Sequence, residues 1–587
     1  MACGRSLRSP SLPAMGSTAE WPRPTGTSPA GTAVAGADRA NPASARMGGP
    51  LWIALLAVAC SASVITIVVL GTRLTFFNDD WYFLLHRPGW SADTLLAPSN
   101  GHLSVLDVIL YKALTAGFGL GHQWPFRLVL GLSMASLGVA VYVWIAGRVG
   151  PLPALAATVL VLFLGTAWED LLFFASISLV AALATGLGAL CALDRPGTGR
   201  ALTACVLLTC SIGFSDLGVV FVAAAAVMLL IDRRPEAWWT VAVPAALFVV
   251  WWASYGHDDP SHVTRANLEH LPRYVLDSAS IGLATLTGLN RGSAGASFAR
   301  GRVVLLLAIL LIVVWLLRGG RPSLRVLVPV VALAGFWLLG GAGFQTGRGP
   351  EASRYQLIDA VLILAVAAEL LRAVRPPRAA VAAVGALGVA SLASNADIIS
   401  YGYSVMRTHS DYARADVGAL MIARDHVDPR FSLTPAVAGD AFLSGVTAGP
   451  LFVESDAHGA PDAASPRELV RGSVAQRRAA DRVLVRAESV ALRPVGGGRS
   501  AGGCRSPRRV RPGRPAAVAP RPAVLGNAGR TPLVVTVRRF GDAQAAIPVG
   551  VLAPGATARL STPSDRAPQV PWRLGLLGRG SALLCGA

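Results

Sequence analysis

Apolar runs of membrane length alternate with short polar breaks from Leu51 to about residue 395. About 20 consecutive apolar residues cross the hydrocarbon layer as one helix. By that rule the chain predicts about eleven spans, near 51–71, 125–147, 151–168, 171–193, 200–214, 217–231, 238–254, 301–318, 324–343, 355–372 and 378–395. The pair 200–214 and 217–231 is short and is broken by Ser215-Asp216. Segment 103–118 is less apolar and carries Asp107 and Lys112, which suits an interfacial helix better than a span. A different pattern closes the chain. Leu533-Val534-Val535-Thr536-Val537 and its surroundings alternate apolar and polar residues between Gly and Pro, as strands do. The expected fold is mainly α: a polytopic transmembrane helical bundle with a C-terminal extracytoplasmic soluble region that contains β structure.

The polar breaks predict an orientation. With the N-terminus inside, every inside loop carries arginine: Arg148; Arg195 and Arg200; Arg233 and Arg234; Arg318, Arg321 and Arg325; Arg372, Arg375 and Arg378. Basic residues accumulate in cytoplasmic loops, so five consecutive loops agree. The expected organisation is a disordered N-terminus at 1–46, rich in Ser, Pro, Gly and Ala. A membrane domain at 47–395 follows, then a loop-rich region at 396–530 with a helix around Tyr412 to His426, and a small β module at 531–587. Met15 and Met47 are alternative starts, and no cleavable signal peptide precedes the first span. The protein is expected in the cell membrane, with its C-terminal region outside.

Composition sharpens this picture. The 587 residues are 53% hydrophobic and only 14% charged. That excludes an ordinary soluble protein and a disordered one. The net charge of +19 comes almost wholly from arginine, with Lys112 the sole lysine. These arginines sit in short loops and the tail, so no nucleic-acid partner is implied. Cys60, Cys191, Cys205 and Cys210 fall inside apolar runs and read as small hydrophobes. Cys504 and Cys585 are the only cysteines of the expected outside tail and bracket its β-like segment. A disulfide between them is expected, worth about 4 kcal/mol for a loop of that length.

The expected outside collects the polar clusters. Phe76-Phe77-Asn78-Asp79-Asp80-Trp81-Tyr82 follows the first span directly, and adjacent carboxylates at such a depth usually face a polar cavity. Glu169 and Asp170 mark the second outside loop, and Asp216 sits in a third. A later loop carries Arg348, Arg354 and Tyr355. His257-Asp258-Asp259-Pro260 has the residue types of a metal cluster but reads more simply as a turn. His86, His102 and His122 lack tight ligand spacing, and metal dependence stays open. A carboxylate can deprotonate an acceptor hydroxyl or hold a metal, and arginine binds phosphate bidentately.

The acidic pair Asp79-Asp80 just after the first span resembles the mark of the GT-C glycosyltransferases, multi-span enzymes that use polyprenyl-phosphate sugars. Glu169-Asp170, Arg354-Tyr355 and an outside C-terminal region add to the resemblance, which covers 51–395 as architecture. It implies transfer of a sugar from a polyprenyl-phosphate donor to a cell-envelope glycan or glycolipid on the outer face. Asp79 or Asp80 would be the base or metal ligand, assisted by Glu169 and Asp170. Arg354, with Arg348 and Tyr355 beside it, would hold the donor phosphate. A possible divalent metal is the one cofactor such a site suggests. Two other classes compete: a transporter or flippase of lipid-linked glycans, and a non-catalytic envelope assembly protein. Few mid-span charges and no internal repeat speak against the transporter.

Overall fold

The structure is a computed structural model and describes residues 49–257, 262–291, 294–345, 347–372, 374, 378–438, 443, 445–495 and 507–586. Among them, seven helices are long and apolar enough to cross a membrane. They are Pro50–Gly71, Trp124–Val149, Pro151–Leu172, Phe174–Leu193, Pro235–Gly256, Ala294–Leu317 and Leu324–Ala342.

The remaining four expected spans differ for separate reasons. Thr198–Phe214 and Leu217–Ile231 are helices of 17 and 15 residues. At 1.5 Å per residue they reach about 25 Å and 22 Å, short of the hydrocarbon thickness. Helix Ser353–Leu371 is long enough but carries Arg354, Asp359 and Glu369. The segment expected at 378–395 is the first part of one helix, Arg378–Ala423, that runs on for 46 residues.

Trp124–Val149 sits inside the bundle against Pro50–Gly71, Pro151–Leu162, Ile177–Leu193 and Ser353–Leu371. Leu130, Met134, Leu137 and Trp144 are its buried face. Ala294–Leu317 is the opposite case, with only 6% of its most apolar stretch buried, so its side chains are left to lipid. Following the chain through alternating helices brings Arg148, Asp194, Asp232, Arg234, Arg325 and Glu369 to one end. There Arg325 pairs with Asp194 and Asp232, both at 2.9 Å. Arg234 joins Asp232 at 3.0 Å, and Arg148 joins the buried Glu369. The segment 72–123 lies at the other end.

The tail docks on that other end. Helix Arg378–Ala423 is about 70 Å long and leaves the bundle without a break. Ser410 on it accepts from the Thr75 backbone at 3.1 Å, and Thr75 Oγ1 donates to the Asp462 carbonyl at 3.3 Å. Leu120 N donates to the His458 carbonyl at 3.2 Å. A short hairpin, Ser432–Leu433 with Val446–Thr447, precedes helices Ala448–His458, Pro466–Arg471 and Val474–Ala487. The region read as loop-rich thus contains, among the described residues, these helices, the short helix Pro435–Ala438 and the end of Arg378–Ala423.

The strands of the C-terminal module begin at Leu492, well before the expected boundary at 531. The strands are β1 (Leu492–Pro494), β2 (Arg508–Val510), β3 (Ala516–Val518), β4 (Ala523–Asn527), β5 (Leu533–Arg538), β6 (Ile547–Leu552), β7 (Thr557–Leu560), β8 (Trp572–Leu577) and β9 (Ala582–Cys585). They form two antiparallel sheets of order β3-β8-β5-β6 and β1-β7-β4-β9-β2. Leu525, Val535, Val537, Leu560, Leu574 and Leu584 are fully buried in this module. The strands before β5 are three to five residues long among Arg, Pro and Gly, too short for alternation to stand out. Cys585 is disulfide-bonded, and its expected partner Cys504 lies outside the described residues.

One carboxylate joins helix Val474–Ala487 to this module. Fully buried Asp481 accepts from the backbone N–H groups of Arg539, Phe540 and Gly541 at 2.9–3.0 Å. Removing it strands buried donors, each costing about 1–3 kcal/mol. Asp481→Ala is therefore expected to destabilise the protein by about 3 kcal/mol or more. A thermal melt of the purified variant checks this, and an unchanged midpoint would contradict it.

Candidate functional site

The acidic run after the first span folds into a turn that sends its two aspartates in different directions. Helix Asn78–Leu85 begins there, and consecutive helical residues point about 100° apart. Asp80 turns inward and is fully buried. Its Oδ2 accepts from Phe77 N at 2.9 Å, closing the first helical turn, and its Oδ1 accepts from the Tyr111 hydroxyl. Phe76, Phe77 and Trp81 pack around it, with Trp81 Nε1 donating to the Phe76 carbonyl at 3.1 Å. Burial pushes the Asp80 carboxyl up to about 6, opposed by the Arg127 charge and the Tyr111 hydrogen bond.

Asp79 turns the other way, into a cavity of about 210 Å³. Around it stand Arg348, Arg354, Tyr355, His102 and Asp216. Burial raises the Asp79 pKa, and the Arg354 and Arg348 guanidiniums oppose that shift. Phe214, Leu217, Phe336 and Leu339 line the apolar part of the same cavity. Leu338 and Leu339 of helix Leu327–Ala342 are about half exposed, at 47% and 49%, so that apolar part adjoins an exposed apolar surface.

The arginines are held by backbone architecture. Arg354 opens helix Ser353–Leu371 and pairs with Glu169 at 3.3 Å. Its neighbour Ser353 donates to the Thr166 carbonyl at 2.8 Å and accepts from Glu169 N at 3.1 Å. The second polar loop is thereby fastened to the loop that carries Arg348. Gln356 reinforces that loop by donating to the Pro350 carbonyl at 2.6 Å. Glu169 thus orients Arg354, whereas Asp170 is fully buried behind it and does not line the cavity.

His102 and Asp216 form the remaining pair at the cavity. His102 Nδ1 lies 2.8 Å from Asp216 Oδ2. His102 ends a four-residue turn, Ser99 to His102, closed by reciprocal backbone hydrogen bonds of 3.0 Å. Asn100 and Gly101 have φ of +53° and +80°, as the two central residues of a type I′ turn require. Arg87 braces the segment before it, which includes the short helix Ala92–Leu96, by donating to the carbonyls of Thr94 and Pro98. Asp216 sits in the break between Thr198–Phe214 and Leu217–Ile231, where Ser215 Oγ donates to it at 3.2 Å. Burial pushes its carboxyl up, but His102 and the hydrogen bonds prevail and hold it below the usual range. The Asn-Gly dipeptide and the short paired helices were the available signals.

The other candidates lie elsewhere. His86 Nε2 is 2.7 Å from the Gly445 carbonyl, and His122 is exposed. Asp258 and Asp259 lie outside the described residues. Among the described residues, no three His, Cys, Asp or Glu side chains are grouped to hold a metal ion. Comparison with protein-family models, with curated proteins and with solved structures gives no match for this chain.

Proposed function

We propose that this protein is a membrane glycosyltransferase of the GT-C type, moving a sugar from a polyprenyl-phosphate donor to a cell-envelope acceptor on the outer face. The observation that carries this reading is the single cavity shared by Asp79, Arg348, Arg354 and Tyr355, polar on one side and apolar toward the lipid surface. The arginine-bearing loops support an outside position for that cavity by the positive-inside rule. The C-terminal region, docked on the same end, lies outside with it.

In this reading the donor phosphate rests on Arg354 and Arg348, with Glu169 holding the Arg354 fork in place. The polyprenyl chain runs along the exposed apolar side by Leu338 and Leu339. Asp79 takes the proton from the acceptor hydroxyl. The acceptor oxygen then bonds to the sugar's anomeric carbon as the carbon–phosphate oxygen bond breaks. The departing electron pair goes to the polyprenyl phosphate, whose charge the arginines stabilise. His102, held by Asp216, faces the same space and can hydrogen-bond the acceptor.

The reading is tested by envelope glycan analysis of a deletion strain complemented with wild type or Asp79→Asn. A sugar lost on deletion and restored only by wild type supports it. An unaltered glycan profile in the deletion strain contradicts it.

A pH dependence follows. A base must be ionised to act, and burial raises the Asp79 pKa. Transfer is therefore expected to fall on acidification at a higher pH than an ordinary aspartate, near 4, would give. The pH–rate profile of the purified protein checks this. Arg354→Gln removes an opposing charge, so its acidic limb is expected to move further toward neutral pH.

A further inference from the structure

The cavity around Asp79 has a second set of polar groups, which the donor phosphate does not use. Among the described residues, Arg348 and Arg354 are the only Lys or Arg side chains that line it. A different part of its lining comes from one stretch of chain, with Ser99, Asn100, His102 and Ser104. The Ser99–His102 turn is closed by backbone hydrogen bonds of its own, so it does not need these side chains to hold its shape. Ser104 is the N-cap residue of helix Val105–Phe118, a place where a serine hydroxyl ordinarily accepts from the first helical turn. It makes no such bond here and lines the cavity instead.

Charge decides what those groups can read. Asp79 and Asp216 both line this space of about 210 Å³. Burial works against the charge on Asp216, but His102 and the Ser215 hydroxyl outweigh it and keep the carboxylate ionised. Once the donor phosphate occupies Arg348 and Arg354, the lining has no arginine left for a second anion. A carboxylate or phosphate on the acceptor would then lie beside two carboxylates, and like charges brought together oppose binding. Hydroxyl groups meet no such penalty. They can donate to the carboxylates and exchange hydrogen bonds with Ser99, Asn100 and Ser104.

We propose that the acceptor is an uncharged sugar residue, that the Ser99–Ser104 segment reads its hydroxyls, and that Asp216 excludes acidic sugars. This assignment rests on the transferase reading and adds the acceptor class to it. The test uses the full-length protein in phosphatidylcholine nanodiscs. The donor is the radiolabelled polyprenyl-phosphate sugar fraction of the deletion strain. The acceptors are oligosaccharides cut from that strain's envelope glycans and separated by anion exchange into neutral and acidic pools. Wild type is expected to label the neutral pool at least about tenfold faster, with linkage analysis placing the label on an uncharged residue. Asp216→Asn is expected to bring the two pools within about threefold of each other. Ser104 makes no capping bond, so Ser104→Ala leaves its helix intact. That variant is expected to raise the acceptor KM by roughly two- to tenfold, the worth of one hydrogen bond, with the donor KM unchanged. A general loss of structure would not separate the two. Label on a uronate or phosphorylated residue in wild type overturns the assignment. An unchanged pool ratio in monodisperse Asp216→Asn, or an unchanged acceptor KM in Ser104→Ala, overturns it too. Absence of any transfer by wild type removes the transferase reading together with this assignment, whereas label on an acidic residue leaves that reading standing.

Discussion

Asp79→Asn is expected to lower sugar transfer by about 10²–10⁴-fold, the usual cost of losing a positioned base. Asp80→Asn, one residue on, is expected to retain most of the activity. The two carboxylates separate because only Asp79 lines the cavity, while Asp80 is fully buried and spent on Phe77 N and Tyr111. Asparagine at 80 keeps an oxygen for Phe77 N, so the turn survives. What changes is the pH dependence of stability. Asp80 titrates at about 6 in the folded chain, above the usual 3.8. Its raised value means that its stabilising contribution is complete below about pH 4 and is lost as pH rises through 6. The swing is on the order of 3 kcal/mol. Melting temperatures across that window should slope downward for wild type and flatten for Asp80→Asn. Transfer assays on equal amounts of folded protein decide the rest. Wild-type rates for Asp79→Asn would remove the base from the mechanism.

Gly165→Ala is expected to prevent the bundle from closing correctly. A Cβ at this position would lie 1.9 Å from the Asn395 carbonyl oxygen and 2.9 Å from Ile399 N. Both are backbone atoms of helix Arg378–Ala423, so no side-chain rotation relieves the overlap. The contact is fixed further by Asn395 Oδ1, which accepts from Thr166 N at 3.1 Å. Overpacking a close contact costs about 1–3 kcal/mol, and a rigid backbone clash belongs at or above the upper end. The helix would have to move, and with it the loop that carries Glu169 and the seat of Arg354. Gly147→Ala is the control, since nothing lies within 4 Å of its added carbon. Detergent-solubilised yield and monodispersity by size-exclusion chromatography read the outcome. Wild-type behaviour of Gly165→Ala would show that the two segments are not in contact.

Most of the membrane architecture could be read from run length, because a span is a local property of some 20 residues. Of the four segments that fell short, two are short helices and in the other two another demand competed. Asp359 and Glu369 inside Ser353–Leu371 serve contacts with Trp337 and Arg148, which run length cannot register. Helix Arg378–Ala423 looked like a span plus a mixed region because its partner changes midway, from the bundle to the tail. At the candidate site, Asp79, Arg348, Arg354 and Tyr355 stood out by residue type in two separate loops. That Asp79 and Asp80 face apart was not legible, since it depends on which helical turn Phe77 begins. The pairing of His102 with Asp216 was hidden for another reason. It joins residues 114 positions apart through a turn and a helix break, and neither alone indicates the other.

The long helix also bears on how such a protein can be dissected or inherited. Ala413, Ala415, Val417, Ala419, Leu420, Ile422 and Ala423, all at its far end, are no more than 3% exposed. A gene cut anywhere between 378 and 423 would leave one fragment with a bare apolar rod and the other without its seat. Within the helix there is no permissive joint at which recombination could swap the tail for a different one. Exchange between such genes should leave its crossovers before Arg378 or beyond Ala423, and hybrids joined within the helix should fail to accumulate.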